Sequence, residues 1–154
     1  GLAISRFMVV HLLKTAAGVP DLDTLAARQA QFTVTAPADS RAAGRPVVLH
    51  STRNMPRRRD AVLDGGSIYW IVRREIVARN RILDMVEADD EMGPKRCRFL
   101  LDPALVAVAR VHRRPIQGWR YLPAAEAPRD LAGGPDGDSL PPHLARDLAD
   151  LGLL

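Results

Sequence analysis

Cysteine, aromatic residues and long apolar runs are all scarce in this sequence. Its single cysteine, Cys97, excludes an internal disulfide and leaves no cysteine cluster for zinc. No apolar run approaches the roughly 20 residues of a membrane-spanning helix, and no secretory signal is recognisable at the N-terminus. We therefore expect a cytoplasmic protein without membrane association.

The remaining composition is that of an ordinary globular protein. Of the 154 residues, 47% are apolar and 26% are charged, which argues against a disordered chain. A chain of this length usually forms one domain. We expect a single domain over residues 1–154, in which a linker at 133–138 leads to a C-terminal helix at 139–152.

Positive charge is concentrated in the middle of the chain. The net charge is +4, but residues 41–121 contain 17 cations and 9 anions, whereas residues 122–154 contain 2 cations and 6 anions. Arginine supplies 20 of the 22 cations, and its planar guanidinium suits bidentate contacts with phosphate or carboxylate groups. The pattern favours an anionic partner, although an arginine-rich coding bias would give the same counts.

Hydrophobic periodicity predicts an α+β fold. We expect an antiparallel or mixed sheet of five to six strands. A second possibility is that this sheet curls into a partly closed barrel, which would remove its exposed edges. Helices are expected at both chain ends, at 21–32 and 139–152, and shorter ones at 57–63 and 123–131. Residues 33–46 are expected to form a loop. Strand-like segments lie at 7–13, 46–52, 67–72, 75–86, 95–101, 105–111 and 116–122.

Several short motifs make the chain similar to a known family. They are LDGGSIYW at 63–70, ARNRIL at 78–83, QGWRYL at 117–122, TR at 52–53, MP at 55–56 and APRDL at 127–131. Through these motifs, nearly the whole chain resembles the bacterial family called domain of unknown function 1489. That family has no assigned activity, so the resemblance implies kinship and identifies no catalytic residue.

The first candidate site is an arginine cluster at a predicted strand-to-helix junction. It consists of Arg53, Arg57, Arg58 and Arg59. A helix N-terminus offers free amide hydrogens and the positive end of the dipole to an anion, and that dipole disfavours cations. An arginine run at this position therefore suggests a bound phosphate, while the alternative is a solvated basic turn.

Aromatic residues and further arginines extend this hypothesis. Trp70 and Trp119 lie close to arginines in sequence, and single-stranded nucleic acids bind by stacking bases on aromatic rings flanked by arginine. Arg79, Arg81 and Arg120 could contact the phosphates. Core packing is the alternative explanation for both tryptophans.

The sequence offers few candidate catalytic residues. His50, Ser51 and Thr52 offer a base and two hydroxyls, but no carboxylate or second histidine stands at a triad or metal-ligand spacing, and no cofactor motif is found. The segment GDSL at 137–140 matches an esterase nucleophile block, yet it lies near the wrong end of the chain, where Ser139 suits a helix cap. Strand alternation predicts that Cys97 is a buried thiol.

Three hypotheses of function follow. The leading one is a binding module for nucleic acid, RNA rather than DNA, or for a phosphorylated ligand. The second is a small hydrolase or transferase that uses His50 with Ser51 or Thr52. The third is a homo-oligomeric protein-interaction domain in which the acidic C-terminal helix contacts a basic surface, either in the same chain or in a second subunit of a homodimer.

Overall fold

Eight strands and two α-helices make up the part of the chain that the computed structural model describes, residues 9–88 and 96–131. No helix within those residues is long and apolar enough to span a membrane. The elements are β1 Val10–Thr15, α1 Leu22–Gln31, β2 Thr33–Thr35, β3 Pro46–Thr52, α2 Arg59–Leu63, β4 Ser67–Val72, β5 Glu75–Ala88, β6 Arg96–Leu101, β7 Val106–His112, β8 Trp119–Pro123 and a 3₁₀ turn at Ala124–Glu126.

The strands form one mixed sheet in the order β2-β3-β6-β5-β4-β1-β8, and β7 pairs with β5. The pair β1 and β4 is parallel, and the other described pairs are antiparallel. The long strand β5 joins the two halves of the sheet, because its first part pairs with β4 and its last part with β6. The sheet is open, since its end strands β2 and β8 do not pair within the described residues.

Bulges bend this sheet around its core. The pairing of β5 shifts register between Ile82 and Asp84 on the β6 side, and between Ile76 and Ala78 on the β7 side. A bulge bends its strand and increases the local twist. The two halves of the sheet consequently face each other across a shared apolar core. We call the side of the sheet that faces this core the inner face, and its core residues include Leu12, Val48, Ile68, Phe99 and Leu101.

Helix α1 covers one end of the inner face. Its N-cap residue, Asp21, accepts a hydrogen bond of 2.7 Å from the backbone N–H of Thr24, which satisfies one of the amides left free at a helix start. Leu22 and Leu25 point into the core. The helix predicted at 21–32 is thus confirmed, and it brings the polar side chain of Gln29 against the sheet.

The hairpin between β4 and β5 turns in two residues. Arg73 has φ 49° and Arg74 has φ 68°, so both central residues adopt the left-handed conformation that a tight hairpin loop requires. The predicted mixed sheet is confirmed, in a fold that is mostly strand and has few helices, and the strands predicted at 46–52 and 67–72 match β3 and β4.

Four structural predictions need correction. The sheet has eight strands instead of five or six, and it is open instead of a partly closed barrel. Residues 33–46 contain the short edge strand β2. Residues 123–131 form only a 3₁₀ turn followed by extended chain, because the backbones of Arg129 and Leu131 hydrogen bond to β7 at Ala109 and Ala107. The predicted linker at 133–138 and helix at 139–152, with the dimer contact assigned to that helix, lie outside the described residues.

Candidate ligand-binding pocket

A lysine and a histidine meet on the inner face of the sheet. The Nζ atom of Lys14, on β1, lies 2.8 Å from Nε2 of His50, on β3. Alternation along β1 places Lys14 on the same side as Val10 and Leu12, which belong to the core. A protonated lysine can only donate a hydrogen bond, so beside a charged Lys14 the Nε2 atom is the acceptor and the neutral imidazole carries its proton on Nδ1. This pair is the polar centre of a cavity.

Two tryptophans stand on either side of Lys14 in the sheet. In register, Lys14 is opposite Trp70 of the parallel neighbour β4 and opposite Trp119 of the antiparallel neighbour β8. The imidazole of His50 in turn contacts the edge of the Trp70 ring, with 5.1 Å between ring centroids and an interplanar angle of 82°. The amine is therefore set among aromatic side chains.

The cavity around this pair has a volume of about 530 Å³, which lies in the range of small-molecule sites. We call it the Lys14–His50 pocket. Its walls combine apolar side chains of α1 and the sheet with a few polar groups. The lining residues are Lys14, Thr15, Ala16, Ala17, Val19, Leu25, Arg28, Gln29, Phe32, Val48, Leu49, His50, Ser51, Trp70, Arg98 and Leu101.

The charge of this lining has one sign. Lys14, Arg28 and Arg98 are cationic, and no aspartate or glutamate occurs among the described residues that line the pocket. Arg28 donates a hydrogen bond of 2.8 Å to the carbonyl oxygen of Ala17, and within the described chain none of these three cations forms a salt bridge. The pocket therefore has positive charge that no carboxylate offsets.

Burial determines the protonation of the central pair. Desolvation, together with the nearby Lys14 charge, lowers the pKa of His50 to about 4. Desolvation also lowers the pKa of the Lys14 amine from its usual value. At neutral pH the imidazole is therefore uncharged, and loss of a proton from Lys14 is easier than for an exposed lysine.

A buried amide network supports the floor of the pocket. The Oδ1 atom of Asn80 accepts hydrogen bonds of 2.8 Å from Nε1 of Trp70 and from Nε2 of Gln29. The Nδ2 atom of Asn80 donates 3.0 Å bonds to Oε1 of Gln29 and to the carbonyl oxygen of Asp102. These bonds fix the ring of Trp70 and the side chain of Gln29, which both line the pocket.

Part of the predicted arginine cluster lies at a different place, against β8. Arg58 donates its backbone N–H to the hydroxyl of Tyr121 at 2.9 Å, and its guanidinium carbon lies 5.6 Å from the centre of the Tyr121 ring. Nε1 of Trp119 donates to the carbonyl oxygen of Asn54 at 3.0 Å. Arg53, Arg57 and Arg58 are exposed, and of these three it is Arg58 that contacts β8.

Two other predicted arginines have carboxylate partners. Arg59 pairs with Asp84 at 2.8 Å, and α2 begins only at this residue and is five residues long. Arg79 forms two bonds of 2.7 Å to the two carboxylate oxygens of Asp130. Both guanidinium groups therefore have structural contacts within the chain.

The remaining predicted binding residues are dispersed. Trp70 is 4% exposed and belongs to the core. Arg81 is exposed and pairs in register with Ser67. Arg120 lies on the other face of β8 from Trp119, where it lines a second cavity of about 250 Å³ with Arg113 and Arg114. The predicted set is thus not one surface.

The predicted catalytic residues do not assemble into a triad. His50 contacts Lys14, where a base and nucleophile mechanism would need a hydroxyl and a carboxylate. Ser51 is exposed and Thr52 is buried, as expected for neighbours in a strand. Within the described residues, no group of three potential metal ligands occurs. Cys97 is buried as predicted, and burial raises its pKa to about 11. The GDSL segment lies outside the described residues.

Sequence reasoning missed Lys14, Arg28 and Arg98 as members of a site. Lys14 ends an apolar run and therefore looks like the boundary of a strand. The signal that could have identified it is the alternation Val10, Leu12, Lys14, which places the amine on the buried side of β1. Arg28 lies on α1 and Arg98 on β6, far apart in sequence, so no local pattern links them to one cavity.

The described part of the molecule is thus a mostly β fold, in which an open mixed sheet and one helix enclose a cavity lined by three cations. The chain belongs to the family described as protein of unknown function (DUF1489), whose sequence model matches residues 12–154. The resemblance found in the sequence motifs is thereby confirmed. No curated protein and no solved structure matches the chain.

Proposed function

We propose that this protein binds a small phosphorylated ligand with a planar or apolar body in the Lys14–His50 pocket. The observation that carries the proposal is the charge of the lining, in which Lys14, Arg28 and Arg98 face no carboxylate in the described chain. Arg28 and Arg98 are exposed and Lys14 is half-buried, so an anion can reach all three cations, and their summed positive potential attracts it.

The apolar walls of the pocket support a planar or apolar body in the proposed ligand. Val19, Leu25, Val48 and Leu101 line the pocket beside the ring of Trp70, and such surfaces gain free energy when they exclude water. A ligand that consisted of phosphate alone would leave these walls hydrated. We therefore expect affinity to need both an anionic group and a ring or other apolar body.

Thermal unfolding in the presence of matched probes tests this proposal. Pyridoxine 5′-phosphate has a planar ring and a phosphate, and pyridoxine is the same ring without the phosphate. We expect the phosphorylated probe to raise the unfolding temperature, with a smaller effect at high salt because salt screens the arginines. Equal effects of both probes, or none, would contradict the proposal.

Substitutions of pocket-lining arginines test whether the phosphorylated probe binds in the Lys14–His50 pocket. Arg98→Met and Arg28→Met each remove one cation and keep much of the apolar stem, so each should weaken binding of pyridoxine 5′-phosphate. Arg129→Met is the matched control, because Arg129 is exposed and does not line the pocket. If the control weakens binding as much as the lining variants do, the probe binds by overall charge and not in the pocket.

A second candidate function is binding of single-stranded nucleic acid, RNA in particular, along Arg53, Arg57 and Arg58. The observation that favours it is the guanidinium of Arg58 over the ring of Tyr121, beside Trp119. Arginines next to partly exposed aromatic rings can contact phosphates and stack on bases.

Fluorescence anisotropy with a labelled single-stranded RNA, measured at two salt concentrations, tests this second candidate. Affinity should fall steeply with salt if the arginines neutralise phosphates. Replacing Arg53, Arg57 and Arg58 together by methionine should abolish binding, whereas Arg129→Met should not. Absence of binding at low salt would exclude this function.

A further inference from the structure

The amine of Lys14 is unusual in its surroundings. The chain has only two lysines, Lys14 and Lys95, and Lys14 lines a cavity that is large enough for a small molecule. Its described partner is an imidazole nitrogen at 2.8 Å, and no carboxylate in the described chain pairs with it. A lysine that served only to stabilise the fold would more commonly pair with an acid or extend into water.

Such surroundings increase the fraction of Lys14 that is a neutral amine. Desolvation lowers the pKa of Lys14, and each unit of lowering increases the neutral fraction about ten-fold at neutral pH. A neutral amine is a nucleophile, and its characteristic reaction with carbonyl compounds is the formation of an imine.

We propose that Lys14 forms an imine with an aldehyde or keto group of the phosphorylated ligand bound in the Lys14–His50 pocket. This inference rests on the proposed function, because Arg28 and Arg98 would hold the phosphate while the carbonyl group reaches Lys14. It adds the chemical class of the ligand and assigns a covalent role to one side chain.

The reaction balances with the groups that are present. The neutral Nζ attacks the carbonyl carbon, a C–N bond forms, and a proton moves from nitrogen to the carbonyl oxygen to give a carbinolamine. The hydroxyl group then leaves with a second nitrogen proton as water, and the C=N bond forms. No oxidation or reduction takes place, and one water is released for each imine.

His50 is placed to assist these proton transfers. Its Nε2 lies within hydrogen-bonding distance of the reacting nitrogen. Because burial keeps the imidazole neutral at physiological pH, the Nε2 lone pair that faces Lys14 can accept a proton from the nitrogen and return it to the departing oxygen. We assign Lys14 as the nucleophile and His50 as the proton-transfer group.

Trapping with pyridoxal 5′-phosphate, as a probe that has an aldehyde and a phosphate on one planar ring, tests the inference. The full chain is incubated with the probe, the imine is reduced with cyanoborohydride, and modification of each lysine is measured by peptide mass spectrometry. Lys95 is the internal reference in the same molecule. We expect Lys14 to be modified roughly ten-fold or more faster than Lys95, and His50→Gln to slow the modification of Lys14 selectively.

The aldehyde-free probe pyridoxine 5′-phosphate separates the two proposals. If it binds but Lys14 is modified no faster than Lys95, the imine inference is wrong and the proposed function stands. If it does not bind and Lys14 is not preferred, both are wrong. If Lys14 is preferred but pyridoxal reacts as fast as its phosphate, the nucleophile is supported and the phosphate site is not.

Two variants complete the test, with folding of each checked by thermal unfolding. Lys14→Arg keeps the positive charge and removes the nucleophile, so it should abolish the trapped product in the pocket. Lys95→Arg should leave the modification of Lys14 unchanged. If Lys95→Arg abolished the modification of Lys14, the inference would be wrong.

Discussion

Lys14 and His50 are hydrogen bonded at 2.8 Å although three strands separate β1 from β3 in the order of the sheet. The contact exists because the sheet bends at the bulges of β5 and brings its two halves face to face. Each partner affects the protonation of the other, since Lys14 contributes to the low pKa of His50. This coupling can be measured directly.

Replacing Lys14 by methionine should raise the pKa of His50. The substitution removes the positive charge beside the imidazole, while the larger cause of the lowered pKa, burial, remains. We therefore expect the pKa to rise from about 4 without reaching the usual 6.5. NMR titration of the imidazole resonances measures the change.

His11 serves as the control for that titration within the same molecule. Burial and the charges of Arg79 and Arg81 lower its pKa to about 4 as well, partly offset by Asp130. Because Lys14 is not among these causes, the pKa of His11 should not change in Lys14→Met. A pKa of His50 that stays the same would show that Lys14 is uncharged or distant in solution.

The stability of the fold should fall in mild acid because of His11. Its Nδ1 accepts a 3.0 Å hydrogen bond from the backbone N–H of Ser67, and a protonated ring cannot accept it. The folded-state pKa of about 4 lies below the usual 6.5, so the unfolded chain binds more protons between these values. The contribution is complete above pH 6.5 and is lost as the pH falls toward 4, with a slope of at most about 1.4 kcal/mol per pH unit.

Urea unfolding at several pH values measures this effect. In His11→Asn, the amide oxygen can replace Nδ1 as the acceptor and does not titrate, so the decline of the free energy of unfolding between pH 6.5 and 4 should be shallower. His112→Asn is the control because His112 is exposed at the end of β7. An identical decline in His11→Asn and the parent protein would contradict the prediction.

The strands and α1 follow from the sequence because their signals are local. The runs at 46–52 and 67–72 are rich in β-branched and apolar residues, and Asp21 caps a helix with a clear period. The number of strands and the open edge were less predictable. Strand β2 has three exposed residues, and its pairing with β3 depends on the tertiary position of that strand.

The pocket was not predictable by the same reasoning. Lys14 and His50 are 36 residues apart, and their contact depends on two bulges whose positions leave little trace in composition. The sequence identified Trp70 and Trp119 as residues of interest, but it could not show that β1 places Lys14 between them. Likewise, Arg59 and Arg79 look like phosphate ligands until their partners Asp84 and Asp130 are located.

Replacing Asn80 by leucine should destabilise the protein by about 3 kcal/mol, because several buried groups lose their partners together. The change leaves Nε1 of Trp70, the amide of Gln29 and the carbonyl of Asp102 without the bonds that they form with Asn80. Urea unfolding measures the loss, and Asn54→Leu is the control at an exposed asparagine. Equal losses for the two variants would show that the buried network contributes little.

Gly66 is required by close backbone packing in the turn between α2 and β4. A Cβ atom at this position would clash with the carbonyl oxygen of Val62 and would lie 2.6 Å from the carbonyl oxygen of Val10. Both oxygens belong to backbone that α2 and β1 hold in place, and the N–H of Gly66 itself bonds to the Val62 oxygen at 2.7 Å. Neither element can move away without breaking core contacts of Val62 or Val10.

Gly66→Ala should therefore cost more than about 3 kcal/mol of the free energy of unfolding, as overpacking against a fixed backbone does. Gly18→Ala provides the comparison, because Gly18 has φ 71° and no atom within 4 Å of its added Cβ. That variant bears only the cost of a left-handed conformation, about 1 kcal/mol. Equal losses of the free energy of unfolding in the two variants would contradict this prediction. They would show that close packing does not require glycine at position 66, and that β1 lies farther from the end of α2 than the structure shows.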